Sequence, residues 1–370
     1  MAKLLITFGT RPELIKVAPI VREFSRRGLR DRLIVLRTGQ HRDLSMIDQG
    51  AAGIRVDHSL HLDREGGSLS DLLGKLLLGF KEGFRELKDD IKGIIAQGDT
   101  ASTYASALHA FHEKIPFFHV EAGMRTYDNG NPFPEEFYRR SISLIAHRHF
   151  APTLVERDHL LREGIDSGSI LVTGNTVIDN LCTALGQAKR KPRKKVLITL
   201  HRRELSTEMK QRYVRYFGEL IRRNPDYEFV WLRHPGTLID ERAFDSLHNI
   251  DFRPPIPFGE LLKLYLEVSL ILTDSGGIQE EAGYLGIPCI VARKRTERSQ
   301  GMSNQIAHFI DLACTKVPEL IARFDPSQLI FRNPLYGSGN SAGMIVDEVW
   351  KECMHSENSC EKSLEKRPAG

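Results

Sequence analysis

The chain reads as an α/β protein built from two doubly wound domains, and three observations carry that reading. Short apolar runs alternate with longer amphipathic stretches, the pattern of a parallel sheet covered by helices. The alternation stops at a basic, proline-containing stretch near the middle and then restarts. At 370 residues the chain has room for two domains of ordinary size.

Taken in order, the strand candidates of the first half are Lys3–Phe8, Arg32–Arg37, Gly93–Ala96, Phe117–Val120, His149–Ala151 and Ile170–Val172. Helical periodicity lies between them, at Leu14–Arg26, Ser68–Leu87 and Ala101–Glu113. A helix over Val177–Leu185 then leads into the run Lys189–Lys195, which reads as an exposed linker. Beyond it, Lys195–Thr199, Glu228–Leu232, Ile250–Phe252, Leu270–Thr273 and Cys289–Val291 read as strands. Glu208–Arg223, Phe258–Glu267 and Ile278–Leu285 read as helices. The expected domains are residues 1–178 and 179–355, with a last helix at Ala342–Met354 packing back across them. Residues 356–370 are polar and charged and read as a poorly ordered tail. Open α/β sheets bind ligands beyond the carboxyl ends of their strands, so the expected site is a cleft between two facing domains.

Composition narrows the partners. Hydrophobic content of 41% and charged content of 27% describe a soluble globular chain, and no apolar run approaches a membrane span. A net charge of +4 suits a small anionic substrate, and no basic run is interleaved with aromatics as on a nucleic-acid face. The amino-terminal apolar run is too short for a signal peptide. Five cysteines without a C-x-x-C argue for a reducing, cytoplasmic setting and against a disulfide frame or zinc site. His147 and His149 form H-x-H without a third ligand at metal spacing and read as packing.

The most specific motif is LTDSGGIQEE, Leu272–Glu281: strand, glycine turn, helix. A helix N-terminus with Ser275, Gly276 and Gly277 in front of it offers backbone N–H groups, a hydroxyl and close approach to a phosphate. Asp-Ser-Gly-Gly is also an ordinary turn and N-cap. Glu280 and Glu281 would repel a bare phosphate but can accept from sugar hydroxyls, so a nucleotide fits better, its ribose on a Glu. The chain has neither a dinucleotide G-x-G-x-x-G fingerprint nor a G-x-x-x-x-G-K-[ST] loop.

Polar clusters recur at the other strand ends. Gly9-Thr10-Arg11-Pro12-Glu13 opens the first helix, with Arg11 and Lys16 placed to meet a diphosphate. Thr38-Gly39-Gln40-His41, Gln97-Gly98-Asp99-Thr100 and His119-Val120-Glu121-Ala122-Gly123-Met124-Arg125 follow. Phe133-Pro134-Glu135-Glu136 opens a helix carrying Arg139 and Arg140. Acidic residues suit a first helical turn, and Asp99 suits an N-cap. Their number is the point: Asp99, Glu121 and Glu135 can converge on one site, where grouped carboxylates supply an acid and a base. In the second half His201-Arg202-Arg203-Glu204 stands at a strand end facing the glycine turn, where His and Arg can neutralise a leaving diphosphate, and His234 after Arg233 and Thr296-Glu297-Arg298 are further strand-end clusters.

Eleven blocks occur in the order GTRPELIKVAPI, TGQH, GDT, HVEAGMRT, PFPEE, HFAPT, VTGNTVID, HRRE, HP, LTDSGGIQEEAGYLGIP and TER. In this order the chain resembles the non-hydrolysing UDP-N-acetylglucosamine 2-epimerases. The resemblance implies the GT-B fold, two Rossmann-like domains facing a cleft that holds UDP, and interconversion of UDP-N-acetylglucosamine and UDP-N-acetylmannosamine for surface or capsular polysaccharide. It implies elimination of UDP to a 2-acetamidoglucal and re-addition at inverted C2, no metal or nicotinamide cofactor, and a homodimer. It makes Asp99, Glu121, Glu135 and His201 the catalytic set. Arg11, Lys16, Arg125, Arg139, His234, Phe258, Ser275, Gly276, Gly277, Glu281 and Arg298 become contacts to substrate or UDP. Gln40, His41 and Glu136 fall where bacterial relatives bind an activating second substrate molecule.

The chain departs from the family pattern at Asp43, Leu205-Ser206-Thr207, Phe137-Tyr138 and Ser299-Gln300. The first bears on that regulation, and the last two on the substrate pocket, leaving open a modified UDP-HexNAc such as a 2,3-diacetamido uronic acid. A hydrolysing epimerase, a GT-B glycosyltransferase and a nucleotide-sugar sensor are the other readings. Three carboxylates in the first half exceed the single base a transferase requires.

Overall fold

A computed structural model describes residues 2–40, 54–60, 62, 67–84, 90–200, 207–233, 240–292, 307–309 and 330–364. The chain divides into two compact units, residues 1–180 with 339–370, and residues 181–338. The first boundary falls inside a helix, between Asn180 and Leu181.

Unit 1 carries a parallel sheet in the order β3-β2-β1-β4-β5-β6-β7. Its strands are β1 (Lys3–Phe8), β2 (Leu33–Arg37), β3 (His58–Ser59), β4 (Ile91–Gln97), β5 (Phe117–Val120), β6 (Arg148–Ala151) and β7 (Ile170–Val172). The helices are α1 (Arg11–Arg26), α2 (Leu69–Gly83), α3 (Ala101–His112), α4 (Glu135–Ile145), α5 (Leu154–Arg162) and α6 (Thr176–Leu185), which runs across the boundary. Both faces of the sheet are buried: on β1, Leu4, Ile6 and Phe8 enter one core and Leu5 the other. Burial on two faces is why such a strand reads as a continuous apolar run.

Unit 2 carries a second parallel sheet, β10-β9-β8-β11-β12-β13. Its strands are β8 (Lys195–Thr199), β9 (Glu228–Leu232), β10 (Ile250–Arg253), β11 (Leu270–Thr273), β12 (Cys289–Val291) and β13 (Ala307–Phe309). Its helices are α7 (Thr207–Arg223), α8 (Phe258–Glu267) and α9 (Gly276–Leu285). In each sheet the strand order reverses once, between β1 and β4 and between β8 and β11. Those reversals are where open α/β sheets hold ligands, at the strands' carboxyl ends.

The last helix, α10 (Ser341–Leu364), belongs to unit 1. Ala342, Ile345, Val346, Val349 and Cys353 form one helical stripe in the core that α1 also lines. Buried Asp179, on α6, accepts from the N–H groups of Ser341 and Ala342 at 3.3 and 2.9 Å, satisfying donors that a helix start leaves open.

Two expectations are corrected. The helix does not stop before residue 356 but runs to Leu364, since Ser356–Leu364 holds neither Gly nor Pro to end it. The basic run before β8 is not wholly an exposed linker. Arg190 donates to the carbonyls of Leu285, Gly286 and Val268, which end α9 and α8, and burial brings its guanidinium down to about 10.

Candidate active site

In unit 1 the strand-end clusters gather around the β1/β4 reversal. Thr10 caps α1 and forms a reciprocal capping box with Glu13. The Glu13 carboxylate does more than close that box. One oxygen accepts from the N–H groups of Gly9 and Thr10 at 2.9 and 2.7 Å. The other lies 2.6 and 2.8 Å from the hydroxyls of Thr100 and Thr103, at the start of α3. Glu13 thus clamps the loop bearing Arg11 to the loop bearing Asp99. Burial pushes its carboxyl above the ordinary value, against the pull of those donors.

Glu121 follows β5 directly, in the left-handed region at φ 64°. A residue with a side chain rarely sits there, and such strain collects at functional sites. Gly123, two residues on at φ 89°, turns the chain where a Cβ would stand 2.3 Å from the Glu156 carbonyl, so only glycine fits. The Glu121 carboxylate is buried and receives Lys16 Nζ at 2.6 and 2.7 Å on its two oxygens. Gln97 Nε2 also donates to it, and Asn175 Nδ2 does so at 3.2 Å. Lys16, expected on a diphosphate, is instead the cation of a buried pair with Glu121.

β4 and β5 are neighbours with Gln97 opposite Val120, so Asp99 and Glu121 leave adjacent strand ends. Asp99 lies 2.6 Å from the Arg139 guanidinium on α4, and Arg139 also reaches Glu136 at 3.3 Å. This draws the end of β4 to the first turn of α4, which Glu135 opens.

Several expected ligand contacts are redirected. Arg125 is buried and donates to Met124 O, Ser143 Oγ and Glu163, all within unit 1. Arg139 is likewise buried against Asp99 and Glu136. Glu136, expected at a regulatory site, is fully buried and accepts from the N–H groups of Thr126 and Tyr127 at 2.9 Å each. Gln40 Oε1 accepts from Ser102 N and Oγ at the start of α3. Arg11 is exposed at the first position of α1. Tyr138 stacks on Tyr104 at 4.7 Å, so the Phe137-Tyr138 departure bears on helix packing.

In unit 2 the glycine turn lies at the β8/β11 reversal. Ser275 stands at the N-cap of α9, its own N–H donating to Thr273 Oγ1 at 3.0 Å, and its side chain makes no capping bond. Gly276 and Gly277 are the first helical residues, and a Cβ on Gly277 would meet open space. Glu281 stands in the second turn and accepts from Tyr265 Oη at 2.6 Å. Phe258, half-buried, opens α8. His41, His201, His234 and Arg298, with Asp43 and Ser299-Gln300, lie outside the described residues.

Glu13, Gln97, Asn175 and His119 lie inside the sequence clusters and blocks without a role of their own there, and Tyr265 lies outside them. Thr-x-x-Glu signals the capping box of Glu13, but nothing local signals its bonds to Thr100 and Thr103. Among the described residues no group of His, Cys, Asp and Glu is placed to hold a metal ion, and no helix is long and apolar enough to cross a membrane.

Comparison with known proteins agrees with the two-sheet α/β fold. The family model for UDP-N-acetylglucosamine 2-epimerase matches residues 25–349. A UDP-N-acetylglucosamine 2-epimerase of Neisseria meningitidis is 34% identical, over 94% of this chain and 99% of that protein. A putative one from Thermotoga maritima is 38% identical over 95% and 97%. The crystal structure of the Neisseria meningitidis enzyme bound to UDP-GlcNAc superposes with a TM-score of 0.83 at 30% identity, over 94% of this chain and all of that one. The Methanocaldococcus jannaschii enzyme in complex with UDP-GlcNAc and UDP gives 0.78 at 29% identity, over 94% and 99%. The fold is the GT-B fold of these enzymes, and the chain belongs to the UDP-N-acetylglucosamine 2-epimerase family.

Proposed function

We propose that the protein interconverts UDP-N-acetylglucosamine and UDP-N-acetylmannosamine without hydrolysis, supplying surface or capsular polysaccharide synthesis in the cytoplasm. The observation that carries the proposal is the strained, buried Glu121 beside Lys16, with Asp99 at the adjacent strand end. In the forward step a carboxylate takes the C2 proton, the C1–O bond breaks, UDP leaves with the electron pair and a C1=C2 double bond forms. In the return step a proton reaches the opposite face of C2 and a UDP oxygen adds to C1. Glu121 is the group assigned to C2, with Asp99 and Glu135 handling the glucal. Lys16 holds the Glu121 carboxylate in one orientation, the positioning such proton transfers need.

Ser275, Gly276 and Gly277 receive the phosphates, since they offer a hydroxyl, open approach and a helix N-terminus. Glu281 takes the ribose hydroxyls. His201 and Arg11 stabilise the departing UDP. The packing role of Tyr138 favours the plain sugar over a modified UDP-HexNAc. The assembly is a homodimer through the α3–α4 face, where Phe111, Phe137 and Leu144 are exposed.

Incubation with UDP-N-acetylglucosamine in deuterated water, followed by proton NMR, tests the reaction. Deuterium enters C2 and two UDP-sugars accumulate. Free UDP with free N-acetylmannosamine points to the hydrolysing type, and no change sinks the plain-substrate reading. Glu121→Gln abolishes exchange while UDP still binds; near-normal exchange removes Glu121 from the mechanism.

A further inference from the structure

Unit 2 holds a buried contact that the phosphate turn does not use. Tyr265, in the last turn of α8, is fully buried, and its hydroxyl donates to Glu281 Oε2 at 2.6 Å. The two residues are 16 apart in sequence and on different helices, so the bond joins α8 to α9. A phenol this deep has to stay protonated: burial pushes its pKa well above the ordinary value, and the charge on Glu281 adds to that. The neighbouring Cys289 thiol is itself pushed up to about 12 by burial, so it stays neutral. The proton of Tyr265 is therefore committed to a carboxylate, and charge-assisted bonds of this kind are short and directional.

A glutamate side chain has three rotatable bonds, and an unrestrained carboxylate on α9 would sample several orientations. A bond to one oxygen from a rigid, fully buried ring fixes the plane of the carboxylate, and with it the direction of the other oxygen. That is preorganisation of a ligand contact by a supporting residue. A ribose presents a vicinal diol, and a carboxylate recognises a diol well only when its plane is set.

We propose that Tyr265 is a positioning residue for the nucleotide: by hydrogen-bonding Glu281 it sets the preference of unit 2 for a ribonucleotide over a 2′-deoxyribonucleotide. This rests on the assignment of Glu281 to the ribose given above. Tyr265 touches no ligand atom itself and acts through Glu281 alone.

The test is calorimetric titration of the full-length protein and its variants with UDP, 2′-deoxy-UDP and inorganic pyrophosphate. The wild type binds UDP more tightly than 2′-deoxy-UDP, and Glu281→Gln loses that preference. Tyr265→Phe keeps the ring and removes only the hydroxyl. It loses about tenfold of the preference, the size expected of one hydrogen bond to a charged group, while its affinity for pyrophosphate is unchanged. In the double variant Tyr265→Phe adds nothing to the effect of Glu281→Gln on the preference, because the tyrosine acts only through the glutamate. A merely structural role of the bond predicts equal weakening of all three ligands and leaves the preference alone. Wild-type preference in Tyr265→Phe, beside its loss in Glu281→Gln, overturns the proposal and leaves the ribose assignment standing. Unchanged preference in Glu281→Gln overturns the assignment, and the proposal falls with it. Should Tyr265→Phe not fold, Tyr265→Met removes the donor with a flexible apolar side chain that can fill the same space and leaves Glu281 itself unchanged. The same loss of preference supports the proposal, and full retention overturns it.

Discussion

His119 lies on β5, two residues before the proposed base, and its Nε2 is 2.8 Å from the Gly98 carbonyl that precedes Asp99. The acceptor is a carbonyl, so Nε2 carries the proton of a neutral ring. Burial is the main reason that the ring stays neutral, with a pKa brought down to about 3, the Gly98 bond opposing. The titratable groups nearest it are His149, Arg125 and Glu121. His149, which hydrogen-bonds the Ser143 carbonyl, is shifted down as well, again chiefly by burial. An unfolded chain takes up these protons near pH 6.5, and the folded one does not. Stability is therefore complete above that pH. It falls as pH drops from 6.5 toward 3, by up to about 1.4 kcal/mol per unit for one such group. Glu13 and Asp179, both raised by burial, work in the opposite sense, at pH above their ordinary values of 4.5 and 3.8. His119→Gln keeps a donor for Gly98, and the difference between variant and wild type cancels the other groups. Scanning calorimetry from pH 7 to pH 4 should show a shallower loss of melting temperature in the variant. Parallel curves would remove His119 as a source of the slope.

At the scale of elements, the strands were legible because each parallel strand is apolar on both faces and ends in a polar turn. Lys3–Phe8, Phe117–Val120, Lys195–Thr199 and Leu270–Thr273 come out as the pattern has them. Helix ends were less legible, since caps rather than periodicity set them. The Thr10–Glu13 box starts α1 at Arg11, ahead of its first apolar residue, and α2 stops at Gly83 rather than Leu87. The candidate site was legible as strand-end carboxylates, because a polar residue directly after a buried strand needs a reason. Its wiring was not. Lys16 meets Glu121 across 105 residues, and nothing near either residue encodes the other. The same holds for Asp179, read as a plain helix residue, which accepts from the first N–H groups of α10. Removing that cap should cost about 1–2 kcal/mol. Asp179→Ala is therefore expected to lower the urea midpoint and to speed hydrogen exchange in the first turn of α10. An unchanged midpoint with unchanged exchange would show that the core stripe alone holds the helix.

For the whole molecule, the exposed apolar surface of unit 1 makes the last prediction. α3 and α4 follow neighbouring parallel strands and return to the start of the next, so they run in the same direction. Tyr104 on α3 meets Phe137 and Tyr138 on α4, which pins the two helices side by side. Seven residues on from Tyr104 stands Phe111, 57% exposed, and seven on from Phe137 stands Leu144, 76% exposed. Phe137 itself is 50% exposed. A seven-residue step returns to nearly the same side of a helix, so each helix presents an apolar edge along its length. Large apolar side chains left in water in a row mark an interaction surface. Two helices offering such edges side by side suit a two-fold interface, in which the same patch serves both copies. Light scattering after size-exclusion chromatography should return the mass of two chains at micromolar concentration. Phe137→Glu with Leu144→Glu should return the mass of one, because closing the interface would bury two carboxylates in each copy without partners. The melting temperature of the variant as a monomer should then be independent of protein concentration, while that of the wild type rises with it. A wild type that elutes as a single chain, or a double variant that stays dimeric, would take the assembly away from this face.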